Sequence, residues 1–438
     1  MSQLNDIVQK TLETAKSLGA QNAKVEMSRA QRLKIKWRQN KIEEMTSAGE
    51  SALNVSLYVD GRFGSYRTSD LRADSIQSFL EKSIAMTRLL EEDPARQLAD
   101  PERYKNRPSV DLERYDQKIA DFTPNQAIER CKQLVAAYSK HDDHPIIDLN
   151  ITCSAVQGES VMMTSNGFEG SDKITYAINS GVLYYADGEK KILGSDGTVA
   201  LHLDDLRSPK DISDVAAKFA NYKFGQKKLP SKNRTIVFYR DAAEDMVGRF
   251  INPLSGMSLV RKQSYFENKI GQQVASKLFD LHDNPLIVRG LGSRLYDDEG
   301  MSAKDATLFE NGVLKQYLLG VYTANKLGLV PTSADTSNLI LTPGKRSLEE
   351  MIADVKDGIY VFDIMGGNAD ETRGDFSHGI VGVAIENGKL TTPVSEMNIT
   401  GNYLDMWKNL VEVANDPNPE SSSRIPSLRI DNVSVSGA

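Results

Sequence analysis

Tight-turn signals recur along this chain and constrain its fold more than any other sequence feature. An Asn-Gly or Asp-Gly pair can supply the two positive φ angles that a two-residue hairpin needs. Because hairpins join antiparallel strands and outnumber any strand-helix-strand alternation, the sequence predicts a mixed α+β protein with antiparallel sheets. The six pairs that follow residue 160 are Asn166-Gly167, Asp187-Gly188, Asp196-Gly197, Asn311-Gly312, Asp357-Gly358 and Asn387-Gly388.

The first 90 residues predict a helix, several antiparallel strands and a second helix. Apolar residues fall on one helical face over 4–18, and Gly19 follows where a C-terminal cap belongs. Strict alternation of apolar and polar residues over 32–38 and 53–59 predicts two half-buried strands. A second amphipathic pattern predicts a helix from about 70 to 90.

At 438 residues the chain has room for more than one domain. The predicted organisation is an N-terminal α/β domain, a proline-interrupted connector, a middle α+β segment and a β-rich C-terminal domain, over 1–92, 93–123, 124–229 and 230–438. Within the last two segments, helical patterns are predicted at 124–140, 211–223, 241–251, 319–327, 347–355 and 402–412.

Charge and cysteine usage bear on partners and compartment. The net charge of −7 argues against a dedicated nucleic-acid binder or a binder of anionic membranes. Two cysteines, Cys131 and Cys153, cannot build a disulfide framework, so we expect a reducing cytoplasm. No apolar run approaches the ~18 residues of a membrane span, and the polar first helix does not resemble a signal peptide.

The histidines exclude the usual helical zinc motif. None of the five lies in an HExxH sequence, and no phosphate-binding loop or GxSxG nucleophile elbow occurs. His141 and His144 have a spacing that could bind a metal on a helix. Pro145 disfavours helix at His144, so we expect a solvated loop over 141–145.

Two features of the C-terminal segment leave alternatives open. The contiguous run Asp297-Asp298-Glu299-Gly300 could bind a hard cation or a peptide amine, or could be a turn with solvated acids. The similar stretches 309–314 and 385–390 each predict strand, tight turn and strand. They indicate either duplicated units or two independent hairpins that share a favoured turn.

An ordered set of motifs resembles one known family. The chain carries Val-Ala-Ser-Lys-Leu at 274–278, Asp-Asp-Glu-Gly at 297–300 and Glu-Asn-Gly-Val-Leu-Lys-Gln-Tyr-Leu at 310–318, followed by Gly-Asp-Phe-Ser at 374–377. This order is similar to that of the PmbA/TldD family, whose members are called modulators of DNA gyrase or TldD/TldE metalloproteases. The resemblance covers essentially the whole chain.

The resemblance also indicates a branch of that family. TldD-like members carry HExxxH on a helix before the Val-Ala-Ser segment, and a late cysteine as a further zinc ligand. The corresponding segment here is 241–252, and no histidine occurs between His202 and His282. The tail over 419–426 has no cysteine. The resemblance therefore implies a PmbA/TldE-like chain with no catalytic residue, metal ligand or cofactor of its own.

What the branch implies is a non-catalytic subunit of a cytoplasmic metallopeptidase that cleaves unfolded peptides. The zinc would belong to a TldD-like partner in a heterodimer, and this chain would offer strand edges to the peptide. Alternatives are a chain that is a peptidase alone, a regulator that binds gyrase or nucleic acid, and a homodimer. The candidate residues for lining the peptide groove are Asp297, Asp298, Glu299, Gly300, Asn311 and Gly312.

Overall fold

The computed structural model describes residues 3–141 and 143–437. The chain is 25% helical and 40% strand, which confirms the predicted α+β class. None of the helices described is both long enough and apolar enough to cross a lipid bilayer. The helices are α1 (Gln3–Ser17), α2 (Ala73–Thr87), α3 (Gln117–Ala120), α4 (Pro124–Tyr138), α5 (Pro209–Asn221), α6 (Arg240–Ile251), α7 (Gly256–Val260), α8 (Val321–Leu327), α9 (Leu348–Ala353) and α10 (Tyr403–Lys408).

Strands in the described ranges form three sheets. The strands are β1 (Asn22–Arg38), β2 (Lys41–Val59), β3 (Arg62–Thr68), β4 (Ile146–Thr164), β5 (Glu169–Asp187), β6 (Lys190–Ala200), β7 (Lys232–Phe238), β8 (Leu281–Asp283), β9 (Ala306–Glu310), β10 (Val313–Leu314), β11 (Leu339–Leu341), β12 (Asp357–Ala369), β13 (Asp375–Glu386), β14 (Lys389–Asn402), β15 (Leu410–Val413), β16 (Ser423–Arg424) and β17 (Leu428–Ser436).

The first sheet is antiparallel, in the order β3-β2-β1-β4-β5-β6. It joins strands of the predicted segments 1–92 and 124–229, and their division into separate domains stays a prediction. Side chains alternate between the two faces of a strand, so Val25, Met27 and Ile35 of β1 share a face, and all three are buried. Helices α1 and α2 cover one end of that face, and α4 and α5 cover the other.

The C-terminal half contains a mixed sheet in the order β14-β13-β12-β7-β17-β15. Its β7–β12 pair is parallel. A smaller sheet in the order β10-β9-β8-β11-β16 lies nearby, and α6 contributes to the core that the two sheets share. The largest side chains of this core are aromatic, and Phe250 of α6 packs against Trp407 with ring centroids 5.1 Å apart.

A second apolar cluster joins the two halves of the molecule. Phe219, near the end of α5, stacks on Phe362 of β12 with ring centroids 4.9 Å apart. Tyr222 and Tyr239 lie in the same cluster. Because α5 also packs on the first sheet, this aromatic contact fixes that sheet against the C-terminal one.

Local signals for the start of α4 and the end of α1 are confirmed. Thr123 caps α4, Pro124 follows at its first position, and Gln126 completes a reciprocal capping box with the Thr123 backbone. Gly19 has φ +102°, a conformation that the chain adopts readily only at glycine.

Four of the six predicted hairpin turns are confirmed, and two are wrong. The pairs at 166–167, 187–188, 311–312 and 387–388 connect successive antiparallel strands. Asp196-Gly197 lies inside β6, paired with β5, and Asp357-Gly358 begins β12. A Cβ on Gly358 would lie 2.7 Å from the Thr235 carbonyl oxygen, so this glycine permits close strand approach rather than a turn.

Candidate functional site

A cleft of about 890 Å³ opens between the two halves of the molecule. Helix α6 lines one side, and the segment 418–423 and Asp196 of β6 line another. Tyr265, Tyr403 and Glu371 also line it. We call this space the α6 cleft.

Helix α6 faces the α6 cleft with a charged stripe because its apolar stripe is used by the core. The chain leaves β7 and enters α6 one residue later. Residues at i, i+3 and i+4 share a helical face, so one stripe enters the core and the other faces outward. The core side is Ala242, Ala243, Met246, Val247 and Phe250, and the cleft side is Asp241, Glu244, Asp245, Gly248 and Arg249.

The two central carboxylates of this stripe already have partners. Arg249 binds Asp245 one turn earlier, with Nε 3.0 and 3.1 Å from the two carboxylate oxygens and Nη2 3.0 Å from Oδ2. Ser421 Oγ donates to Glu244 Oε1 at 2.8 Å. Burial raises the pKa of the Glu244 carboxyl above its usual value, and the hydrogen bond from Ser421 opposes that shift.

Arg207 ties the edge of the first sheet to the C-terminal tail across the α6 cleft. Its Nη1 lies 2.8 Å from Asp196 Oδ2, and its Nε lies 2.8 Å from Glu420 Oε2. Thr198 Oγ1 donates to the other oxygen of Glu420 at 2.5 Å. These contacts hold residue 420 beside β6, and with it the segment that carries Ser421 to Glu244.

Tyr403 connects the α6 cleft to a buried histidine. Its hydroxyl lies 2.6 Å from Nε2 of His378, which is fully buried. Burial lowers the pKa of His378, and the positive charge of Arg249 acts in the same direction. Both effects favour the neutral imidazole, so His378 acts here as a hydrogen-bond partner of Tyr403.

Strand β12 has a free edge beside the α6 cleft. Its residues 358–361 pair with β7 on one side, but β7 ends at Phe238 and the chain turns into α6. In the described residues, 363–364 and 367–369 pair only with β13, on the other side, with a bulge between them. Ala369 lines the cleft. Unpaired backbone groups on such an edge are a template for another extended chain.

Asp297 and Asp298 lie elsewhere, beside a second cleft of about 520 Å³ that Arg294 and Tyr296 also line. Asp297 is 6% exposed, and its Oδ1 accepts from the backbone N–H groups of Glu299 and Met301 at 3.0 and 2.9 Å. Its carboxylate therefore closes the turn. Asp298 is exposed.

Glu299 and Gly300 also make structural contacts. Glu299 Oε2 accepts at 2.8 Å from the backbone N–H of Val321, the first residue of α8. Burial raises the pKa of Glu299 to about 7. Gly300 has φ +83°, and a Cβ there would lie 2.7 Å from the ring of Phe168.

Asn311 and Gly312 form a hairpin turn that packs on another part of the chain. The Asn311 N–H donates to Asp280 Oδ1 at 2.6 Å, and Gln273 Nε2 donates to the Asn311 carbonyl at 2.8 Å. The structure therefore brings 297–298 to one cleft and leaves 311–312 apart from it. A role of these residues in binding peptide stays a prediction.

The HxxH pair makes separate contacts. His141 Nε2 lies 3.1 Å from Ser213 Oγ, and His144 stacks on Phe224 with ring centroids 3.8 Å apart. Asp142, between them, lies outside the described residues.

Comparison with known proteins identifies the family. Residues 231–437 match the family model of the PmbA/TldA metallopeptidase C-terminal domain, and residues 23–87 match that of PmbA/TldA metallopeptidase domain 1. A crystal structure of a Bacteroides thetaiotaomicron protein, named as a modulator of DNA gyrase, is 36% identical, covers 100% of both chains and superposes with a TM-score of 0.96. The chain belongs to the PmbA/TldD family.

Other PmbA/TldD relatives agree along the whole length. The metalloprotease PmbA homolog of Haemophilus influenzae is 29% identical and covers 99% of this chain and 96% of its own. TldE from Thermococcus kodakarensis is 18% identical, covers 98% of this chain and 100% of its own, and shares the fold with a TM-score of 0.85. The family is metallopeptidase-like.

The donors of the α6 cleft do not fit the zinc of the TldD-like branch. The resemblance implies that the zinc motif of that branch would fall in the segment 241–252, where this chain has Asp241, Glu244 and Asp245. Catalytic zinc takes about three protein ligands, usually with imidazole or thiolate among them. Across the described residues, no group of three or more His, Cys, Asp or Glu side chains is placed to hold a metal ion.

Sequence reasoning missed the arginines of the α6 cleft. Arg207 and Arg249 line it together with Arg240, at the start of α6. Only Arg249 had a local signal, because an acidic residue four positions before an arginine on a helix predicts an ion pair. The partners of Arg207 lie 11 and 213 residues away in sequence, so no local pattern marks it.

Proposed function

We propose that this chain is the non-catalytic subunit of a TldD/TldE-type metallopeptidase, with the zinc supplied by a TldD-like partner. The observation that carries the proposal is the occupied stripe of α6. Asp245 is neutralised by Arg249, and Glu244 accepts from Ser421. The face that corresponds to the zinc helix of the partner branch is thereby committed to contacts within this chain.

The arginines around that stripe support the same conclusion. Arg207, Arg240 and Arg249 line the α6 cleft beside six carboxylates, and Arg207 and Arg249 hold three of those carboxylates in ion pairs. Carboxylates already held by guanidinium groups are poor ligands for a divalent cation, whereas guanidinium N–H groups can donate to the carbonyl oxygens of a peptide.

The free edge of β12 supports a peptide as the ligand. An extended peptide that pairs with 363–369 would add a strand to the C-terminal sheet and lie along the α6 cleft. Such pairing uses backbone groups, so it accepts many side chains and requires an unfolded segment. Both properties suit a subunit that presents unfolded peptides to a partner. We place the complex in the cytoplasm, in keeping with two unpaired cysteines.

The test compares the full chain alone with the chain co-expressed with a TldD-like protein from the same genome. We expect the pair to co-purify with about one zinc per pair and to hydrolyse an unfolded fluorogenic peptide. The chain alone should hold no stoichiometric zinc and should not cleave. The matched control replaces the first histidine of the partner's HExxxH motif by alanine, which should abolish cleavage while association persists.

A second arm tests the strand-edge contact with the same pair. Two peptides are compared, each methylated on every second backbone nitrogen, one on the odd and one on the even positions. Alternate N–H groups of a strand point to opposite edges, so one of the two peptides should be cleaved far more slowly than the other. Failure of the two proteins to associate would contradict the proposal. So would stoichiometric zinc in the chain alone together with chelator-sensitive hydrolysis.

A further inference from the structure

A second cavity opens beside the α6 cleft. It has a volume of about 410 Å³ and is lined by residues of β6, the loop between β8 and β9, and the C-terminal tail. It shares Arg207, Arg240, Asn418 and Glu420 with the α6 cleft, so the two spaces adjoin.

Positive charge exceeds negative charge in the lining of this cavity. Four arginines line it against two acids, Asp205 and Glu420. Both acids already have partners, because Glu420 binds Arg207 and Asp205 binds Arg289. The two arginines that remain are Arg240 and Arg424.

Neither remaining arginine has a hydrogen-bonded acid in the described part of the chain. The Nε atoms of Arg240 and Arg424 are both buried without a hydrogen-bond partner. The carboxylate nearest to Arg240, that of Asp241, lies 3.8 Å from its Nε, beyond hydrogen-bond distance. Burial lowers the pKa of Arg424, and no neighbouring acid opposes this shift.

Both arginines are half-buried, and Arg240 also lies over the ring of Tyr239. A partly desolvated guanidinium without a hydrogen-bonded acid gains stability when an anion pairs with it. Two such groups on one cavity therefore indicate an anionic ligand. A planar guanidinium matches a carboxylate with two parallel hydrogen bonds.

We propose that Arg240 and Arg424 form a binding site for a carboxylate of the peptide that occupies the α6 cleft. The inference rests on the proposed peptide-binding function and adds the chemistry by which the peptide is anchored. The carboxylate belongs either to the C-terminus of the peptide or to an acidic side chain near it. In both cases the site positions a peptide whose backbone pairs with β12.

The experiment measures the affinity of the full chain for three fluorescent octapeptides that are otherwise free of Asp and Glu. One ends in a free acid, one ends in an amide, and one ends in an amide but carries a single Glu. The variants are Arg240→Gln and Arg424→Gln. Arg424→Lys keeps the positive charge but loses the two parallel N–H donors of the guanidinium group. Arg67→Gln, which removes an exposed arginine on β3, is the matched control.

We expect the free acid to bind about 10- to 100-fold more tightly than the plain amide, the range for charge-assisted hydrogen bonds. Arg240→Gln and Arg424→Gln should reduce that preference, Arg424→Lys should retain part of it, and Arg67→Gln should leave it unchanged. Equal binding of the Glu-containing amide and the free acid, both tighter than the plain amide, would support a site that accepts either kind of carboxylate. Equal binding of all three peptides would overturn the site and leave peptide binding in place.

A second readout separates this site from the proposed function. If no peptide binds the full chain, the proposed function fails, and N-acetyl-L-alanine then tests the site by itself. A rise in the wild-type thermal midpoint with this probe, absent in Arg424→Gln, would support the site. No rise, or a rise with inorganic phosphate alone, would overturn it.

Discussion

At the residue scale, Glu299 shows how burial decides what a carboxyl group does. It lies in the acidic run 297–300, for which the sequence predicts either a solvated turn or a ligand site. In the structure, its side chain is half-buried and accepts from the Val321 N–H at the start of α8. Burial raises the pKa of this carboxyl to about 7, and the hydrogen bond from Val321 opposes the rise.

Glu299→Gln tests that environment. The folded pKa of about 7 exceeds the usual glutamate value, so protonation favours the folded state. The protonated carboxyl makes its full contribution to the free energy of unfolding below about pH 4, and this contribution is lost as the pH rises through 7. Glutamine keeps the acceptor for Val321 without the charge. We expect the variant to gain up to ~3 kcal/mol over wild type at pH 8 and little at pH 4.5, by urea unfolding.

The control for this measurement is Glu91→Gln, which alters an exposed glutamate. It should follow the wild-type pH profile. An equal gain for Glu299→Gln at both pH values would show that the carboxyl does not titrate in this range.

At the element scale, the two similar stretches at 309–314 and 385–390 form hairpins with the same turn. Asn311 and Gly312 have φ 49° and 73°, and Asn387 and Gly388 have φ 50° and 77°. Each glycine also lies close to a carbonyl oxygen of another segment, and a Cβ would lie 2.3 Å from that of Ala275 or 2.4 Å from that of Ala353. These turns therefore act as packing contacts as well as chain reversals.

Gly312→Ala tests that packing. The control is a similar Asp-Gly turn that makes no such packing contact. Gly188 follows Asp187 in the β5–β6 turn, has φ +58° and would have nothing within 4 Å of a Cβ. We expect Gly188→Ala to cost about 1 kcal/mol, from backbone conformation alone. Gly312→Ala should cost at least ~2 kcal/mol more, because the carbonyls of 275 and 276 must move. Urea unfolding measures both, and equal costs would contradict the packing role.

At the scale of the whole molecule, contacts between distant segments form the α6 cleft. Arg207 joins the first sheet to the C-terminal tail, and the Phe219–Phe362 stack joins that sheet to the C-terminal one. Both acid partners of Arg207 are mostly buried, at 16% and 14% exposure. Loss of this arginine would leave two carboxylates without a counterion beside the cleft.

Arg207→Met tests the ion pairs that Arg207 makes with Asp196 and Glu420. Breaking a buried ion pair by removing one partner costs about 3–5 kcal/mol, and the partial exposure of Arg207 places the expectation at ~2–4 kcal/mol. Amide hydrogen exchange should rise in 418–424 and in β6. Arg72→Met, which removes an exposed ion pair with Asp70, should change stability by less than ~1 kcal/mol. Exchange that is unchanged in the tail would contradict the role of Arg207.

The sequence by itself predicted local secondary structure and sequence motifs, because these depend on residues that are neighbours in the chain. Alternation over 53–59 predicts a strand, the Thr123-Pro124 pair predicts the start of α4, and the ordered motifs over 274–318 resemble the right family. Local dipeptides failed at 196–197 and 357–358, where pairing with another strand overrides turn propensity.

Only the tertiary structure decided the clefts and their charges. Arg207, Arg240 and Arg424 belong to three separate segments, and whether each meets an acid depends on how those segments pack. The free edge of β12 likewise exists because β7 stops first and turns into α6. Coulombic and hydrogen-bond contacts act over a few ångströms in space, whatever the sequence separation. The sequence therefore shows which charged residues are present but not which of them are in contact.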